Sequence, residues 1–367
     1  MSKRLLALSI IALVGSFGLG FAKSNFAMRQ PTVTPQVSGT PSSLIAVNPV
    51  NSRVVWASGR KGTFVVTVDG GQTWRPGVVP GAEALQFRDV QGVSDRVAYL
   101  LSIGNGTDSR IYKTVDGGAT WTLQFQNQDP NAFYDCFAFW TPRRGLAQSD
   151  SVNGRFPVIR TLDGTTWQDI GNNLPPALNG ESSFASSGTC VAAQGRNRAW
   201  IVTGGASPSR VLATEDGGQT WAAHASPLRG SPSAGIFTVA FRDAFHGMIG
   251  GGDLDPTAGP FDQTATSNDG GRTWAITSAQ PNIGTVFGLS FAGERGKGQG
   301  PEGENQDQSN ANRTVVVTGP GGSAWTPDEG NTWFTLPGVT GFWGVAFGSP
   351  KTGWLVGTNG RILRIDF

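Results

Sequence analysis

One eight-residue word, met six times, restricts what this chain can fold into more than any other feature. TVDGGQTW at 67–74 returns as TVDGGATW at 114–121, TLDGTTW at 161–167, TEDGGQTW at 214–221, SNDGGRTW at 267–274 and TPDEGNTW at 326–333. The tryptophans that end these words, Trp74, Trp121, Trp167, Trp221, Trp274 and Trp333, are 47, 46, 54, 53 and 59 residues apart. A fixed word at that period marks repeated supersecondary units, and the length suits one four-stranded propeller blade with variable loops.

Each word sits at the same point of a larger unit. An apolar segment comes first: LIAV at 44–47, LQF at 85–87, CFAFW at 136–140, CVAA at 190–193, FTVAF at 237–241, GLSF at 288–291 and GVAF at 344–347. A second strand follows, a third leads into the word and a fourth leaves it. There are seven inner segments for six words. Aligning GRILRIDF at 360–367 with GTFVVTVD at 62–69 ends the seventh unit on its third strand. PTVTPQV at 31–37, alternating β-branched and polar residues, is then expected to supply the missing outer strand and close the ring. The expected fold is all-β: a single seven-bladed propeller over 41–367, with the closing strand inside 23–40. The 53 glycines, 12 tryptophans and 15% charged residues agree with a turn-rich β protein.

The word explains itself without a substrate. Aspartate bonds backbone in a turn, glycine supplies positive φ, and tryptophan offers a large face to bury and an indole N–H to place on a carbonyl. A catalytic carboxylate is unique in its site, whereas Asp69, Asp116, Asp163, Asp216, Asp269 and Asp328 recur around the ring. These turns belong on one rim, opposite the loops joining second to third strands. TLDGTTW is one residue short and TPDEGNTW has Glu329 in a glycine position, so the turn tolerates variation.

The pattern S/T-x-D-G-G-x-T-W resembles the Asp-box, or bacterial neuraminidase repeat. Two Asp-box propeller families invite comparison. The first, the sialidases, uses an arginine triad, a late tyrosine nucleophile with a glutamate, and an acid/base aspartate. This chain has only Tyr99, Tyr112 and Tyr134, all early, and GRFPVIR at 154–160 falls in the third unit rather than the first. The segments FYDCFAFWTPRRGLAQSD and GIFTVAFRDAFHGMIGGGD instead resemble the photosystem II stability and assembly factor type of exported propeller, over roughly 40–367. That resemblance implies binding of a protein partner through an arginine-rich face, without catalysis.

A glycoside hydrolase acting on extracytoplasmic glycans stays as the alternative. It needs two carboxylates about 5 to 10 Å apart, and Asp89, Asp135, Asp150, Asp243 and Asp253 lie near strand ends. Asp89 and Asp243 share the word FRD, read as a turn between first and second strands. For binding, the loops between second and third strands end in Arg110, Arg155, Arg210 and Arg361. Equivalent positions place them on one rim as a crescent suited to acidic groups; the plain alternative is local pairing, Arg110 with Asp108 and Arg155 with Asp150.

Residues 1–22 read as a signal peptide, with Lys3 and Arg4 before an apolar run and Gly20-Phe21-Ala22 at its end. Its removal leaves 26 basic and 26 acidic residues, which gives no argument for nucleic acid. The expected location is periplasmic or extracellular, and the expected state a monomer. Cys136 and Cys190 fall in adjacent inner strands, where a disulfide and two buried thiols are both open. His224 and His246 form no metal-ligand pattern with them, and no phosphate-binding loop occurs, so neither cofactor nor nucleotide is expected. Two insertions depart from the repeat: 251–264 on the arginine rim and 293–312 on the other.

Overall fold

The computed structural model describes residues 30–293 and 313–367; the expected leader and nearly all of the 293–312 insertion lie outside them. Seven four-stranded antiparallel sheets are present, each numbered here as a blade. In blade 1 the strands are Leu44–Pro49, Val55–Gly59, Thr63–Thr67 and Arg75–Val78. The first three are buried along their whole length and the fourth is largely exposed, so burial falls from the ring axis outward.

Blade 7 joins the two ends of the chain. Phe342–Phe347, Thr352–Gly357 and Arg361–Asp366 are its first three strands, and Thr32–Val37 is its fourth. The pairing is antiparallel, from Thr32 opposite Asp366 to Val37 opposite Arg361. Gln36 extends this closure to blade 1: its Oε1 accepts from Trp354 Nε1 at 3.2 Å and Trp74 Nε1 at 3.0 Å, while its Nε2 donates to the Gly70 carbonyl at 3.2 Å.

The repeated turn is held by the bonds its residue types predict. The Thr67 hydroxyl donates to Asp69 Oδ1 at 2.7 Å and accepts from Gly71 N–H; Asp69 in turn accepts from the Thr73 N–H and hydroxyl. Those bonds, the Thr73 hydroxyl foremost, hold the Asp69 carboxyl down at about 2. Gly70 and Gly71 have φ of 77° and 85°, the left-handed region that glycine enters without strain. Glu329 adopts φ 57° in the divergent copy and is tied down by Arg242 and by Arg313 at 2.9 Å.

Each turn is also gripped by the preceding blade. Lys113 Nζ reaches the Gly164 carbonyl at 2.9 Å, Arg160 the Gly217 carbonyl at 2.8 Å and Trp200 Nε1 the Gly270 carbonyl at 2.8 Å. Arg75 and Arg364 make the corresponding contacts to Gly117 and Gly70. Blades therefore bond largely through side chains, since no strand ladder crosses between them; a few backbone bonds do, such as that from the Val239 N–H of blade 5 to the Thr189 carbonyl before the blade 4 inner strand at 2.9 Å.

The tryptophans need a correction. Of the six that end the repeat, Trp74 is buried and the other five are half-buried, and the indole nitrogens of Trp121, Trp167 and Trp221 lack a bonding partner. The fully enclosed tryptophans are Trp56, Trp140, Trp200 and Trp354, on first and second strands. Trp200 stacks on Phe241 of the next blade at a centroid distance of 3.6 Å. Outer strands have no sheet beyond them, so a side chain at their start is covered on one side only.

Candidate functional site

Near the start of the inner strands, on the rim opposite the repeated turns, the register of blades 1, 2, 3, 5 and 7 slips by one residue. The unpaired residues are Ile45, Arg88, Asp135, Phe237 and Trp343, and Thr189 and Phe287 occupy the matching positions in blades 4 and 6. A bulge re-aims a side chain that a regular ladder would turn toward a neighbouring blade. The outcome is a ring of seven groups, one from each blade and of mixed chemistry, at the mouth of the central channel.

Part of this ring is continuous aromatic surface. Phe184 stacks on Phe237 at 4.1 Å, Phe237 on Phe287 at 5.6 Å, and Phe287 meets Trp343 at 5.1 Å. The Arg88 guanidinium lies 5.4 Å from the Trp343 ring. Arg88 thus links blade 2 back to blade 7.

The connection between blades 3 and 4 covers the mouth. Arg88 of blade 2 donates to the Ala185 carbonyl at 2.9 Å, and Ser187 Oγ donates to the Phe287 carbonyl of blade 6 at 2.7 Å. Residues 185–187 are therefore bonded to opposite sides of the ring. At their base Cys136 and Cys190, equivalent residues of blades 3 and 4, form a disulfide with Cα atoms 5.9 Å apart. This bridge anchors the cover to the blade before it.

Two carboxyl groups sit under the cover. Burial pushes Asp135 well above the usual carboxylate range and Asp150 up to about 6, and the two share a hydrogen bond. Asp135 Oδ2 meets no donor of its own, which a proton held between the pair supplies. Asp150 Oδ1 accepts from the Ser183 N–H of the cover at 2.8 Å. Desolvation draws Arg88 down to about 10, with Arg60 as a further cationic neighbour. Carboxyl groups in mutual hydrogen-bond contact are closer than the roughly 5 Å that separates a glycosidase pair.

The other expected carboxylates have local duties. Asp89 lies within the blade 2 inner strand, not in a turn, and accepts from the Val90 and Phe137 N–H groups; its FRD is out of phase with that of Asp243. Asp243 does lie in the turn between first and second strands, paired with Arg242 at 2.6 Å and His246 at 2.8 Å. Asp253 is bonded by Ser233 at 2.6 Å.

Arg110, Arg155, Arg210 and Arg361 share the rim of the channel mouth, at the radius of the third strands, but they are not alike. Arg155 pairs with Asp169 at 2.6 Å instead of Asp150, and Arg210 is committed to buried Glu181. Arg110 bonds to the Thr107 carbonyl and the Tyr112 hydroxyl instead of Asp108; Arg361 bonds to the Thr340 carbonyl and lies over the Phe342 ring. Of the four, Arg110 and Arg361 are without a carboxylate partner among the described residues. Exposed Arg60 and Lys61, in the loop between second and third strands of blade 1, lie between them in ring order and were missed by the four-residue alignment. Sequence alternation also gave no sign of the bulges that aim Arg88 and Asp135.

Fold and site together define a seven-bladed β-propeller whose covered channel mouth is flanked by cations on blades 7, 1 and 2. No family model matches the chain. It is similar to the chloroplastic photosystem II stability/assembly factor HCF136 of Cyanidioschyzon merolae, 24% identical over 240 residues, which is 60% of this chain and 51% of that protein. The chain thus spans about half the length of this curated relative. Among solved structures it is similar to YCF48 bound to D1 peptide, at 18% identity and a TM-score of 0.59, covering 92% of this chain and 97% of the other. YCF48 from Cyanidioschyzon merolae matches at 17% identity and 0.58, over 91% and 98%. U3-55K reaches 0.59 at only 11% identity, over 91% and 98%, so these superpositions speak for the fold alone.

Proposed function

We propose that this chain is an extracytoplasmic Asp-box propeller that binds a protein partner, in the manner of a photosystem II assembly factor and without catalytic chemistry. The observation that carries the proposal is the arc of cations on the channel-mouth rim. Arg361, Arg60, Lys61 and Arg110 lie on blades 7, 1 and 2, and none is ion-paired with a carboxylate among the described residues; half-buried Arg88 lies inside them, with Asp135 as its anionic neighbour. Guanidinium groups that bond only to carbonyl and hydroxyl oxygens are ready for a carboxylate. The similarity to YCF48 bound to D1 peptide supports a peptide segment as the partner, and the cationic arc favours an acidic one. The disulfide supports an oxidising compartment, in line with the signal peptide read at 1–22.

The test is fluorescence anisotropy with a labelled D1 peptide and an acidic peptide of unrelated order. Changing Arg60, Arg110 and Arg361 to Ala is expected to weaken binding by about 10²-fold or more, as loss of several charge-assisted contacts requires. The Arg155→Ala variant, whose cation is already paired, is expected to bind almost normally. Binding indifferent to the triple change, or sugar release from a glycan panel, overturns the proposal.

A further inference from the structure

The rim carrying the repeated turns has its own repeated surface. Counting back three residues from the equivalent second-strand positions Trp56, Tyr99 and Leu146 gives Arg53, Arg96 and Arg143 in blades 1, 2 and 3. All three are exposed, and among the described residues none has an ion-pair partner. Beside each stands the second residue of the repeated word. The Gly70 and Gly117 N–H groups bond to the Arg53 and Arg96 carbonyls, and Gly164 lies against the Arg143 Cα. Those second residues are Val68, Val115 and Leu162, and they are 51%, 59% and 57% exposed. Blades 4, 5 and 6 have Glu215, Asn268 and Pro327 there. Three consecutive blades thus present the same couple of an exposed apolar tip and an unpaired guanidinium.

Blade positions related by rotation about the ring axis lie in one plane perpendicular to it. The three tips therefore share one height along the axis, and so do the three cations, so a flat partner can touch all of them at once. Charge selects the partner. In the rim segments of blades 1 to 3 (50–54, 67–75, 92–98, 113–121, 140–144 and 160–167) there are seven lysines and arginines against four aspartates. The repeat aspartates among them have their oxygens engaged by hydroxyl and N–H donors, as Asp69 and Asp116 show. Apolar tips with outward cations are the composition of a surface that seats on anionic headgroups.

We infer that the repeated-turn rim of blades 1 to 3 docks on an anionic lipid surface through Val68, Val115 and Leu162 and the flanking Arg53, Arg96 and Arg143. The opposite rim then faces away from the membrane. The inference is independent of the peptide-binding proposal, because no residue is shared.

A thiol-reactive, polarity-sensitive fluorophore placed on the full chain at Val115→Cys tests it, with Glu83→Cys on the opposite rim as control; both native cysteines are buried in the disulfide. With vesicles of phosphatidylglycerol and phosphatidylcholine in equal parts, the Val115→Cys emission is expected to shift to the blue while that at Glu83→Cys stays unchanged. Phosphatidylcholine alone is expected to give no shift. Changing Arg53, Arg96 and Arg143 to Gln is expected to raise the lipid concentration needed by about a hundredfold. No shift at Val115→Cys, an equal shift at Glu83→Cys, or a shift indifferent to the arginine changes overturns the inference. A shift with soluble polyglutamate and none with vesicles overturns it in favour of an acidic protein surface.

Discussion

Gln36→Leu isolates the bond that closes the ring. One side chain makes three hydrogen bonds to two blades: to Trp354, to Trp74 and to the Gly70 carbonyl. Leucine keeps the volume and removes all three. A hydrogen bond contributes about 1 kcal/mol net, and the Trp354 and Trp74 N–H groups, on side chains 0% and 8% exposed, lose their acceptor without gaining water. The expected loss is therefore about 3 kcal/mol. With an unfolding entropy near 2.1 cal/mol/K per residue across Pro31–Phe367, this lowers Tm by about 4 °C. Gln36→Glu retains the acceptor for both indoles and gives up only the bond to Gly70, so it is expected to cost roughly a third as much. Differential scanning calorimetry of the three proteins decides the matter. A Leu variant that melts with the parent, or a Glu variant as weak as Leu, refutes the account of ring closure.

Other perturbations separate structural from functional residues. Replacing Cys136 and Cys190 together by Ala is expected to cost about 4 kcal/mol in urea unfolding, the chain-entropy value for a bridge spanning 54 residues. Trp200→Ala is expected to cost about 4 kcal/mol and Trp221→Ala about 2, because the first is enclosed, stacked and bonded while the second is half-buried with an unbonded N–H; equal midpoints contradict this ranking. Arg210→Ala is expected to destabilise by about 3 kcal/mol or more by stranding buried Glu181, with peptide affinity unchanged in protein that remains folded. Asp150, raised to about 6, gives stability that is full below its unfolded value of 3.8 and is lost as pH climbs through 6. Asp150→Asn is expected to lessen the fall in unfolding free energy between pH 4 and 7, the buried Asp135 keeping the remainder, and to raise it at pH 7 by on the order of 2 kcal/mol; an unchanged pH profile contradicts the shared proton.

The ring was legible because its signals are local and repeated. The turn word encodes its own hydrogen bonds, and the phase of GRILRIDF against GTFVVTVD showed which strand blade 7 lacked. The channel mouth was not legible for the opposite reason. Arg88, Asp135, Phe237 and Trp343 occupy one structural position, yet a cation, a carboxyl group and two aromatic rings form no repeated word, and the extra residue of a bulge breaks the alternation by which a strand's faces are assigned. The arginines fell between these cases. Their placement followed from the repeat, but whether each is neutralised depends on Asp169, at the end of the blade 3 outer strand, and on Glu181, in the connection between blades 3 and 4.

The pairing of Thr32 with Asp366 also governs when this molecule can exist. A strand made before any of the blades has to wait for a partner made after six of them, and all the other blades can form by pairing neighbours in the chain. Until the two meet, the edge of Arg361–Asp366 is bare and open to strands of other molecules. The longer loop itself is a small entropic burden, since closure entropy grows only with the logarithm of length. The hazard is one of time: anything that delays Arg361–Asp366, or cleaves Thr32–Val37 away early, leaves six complete blades and a sticky seventh.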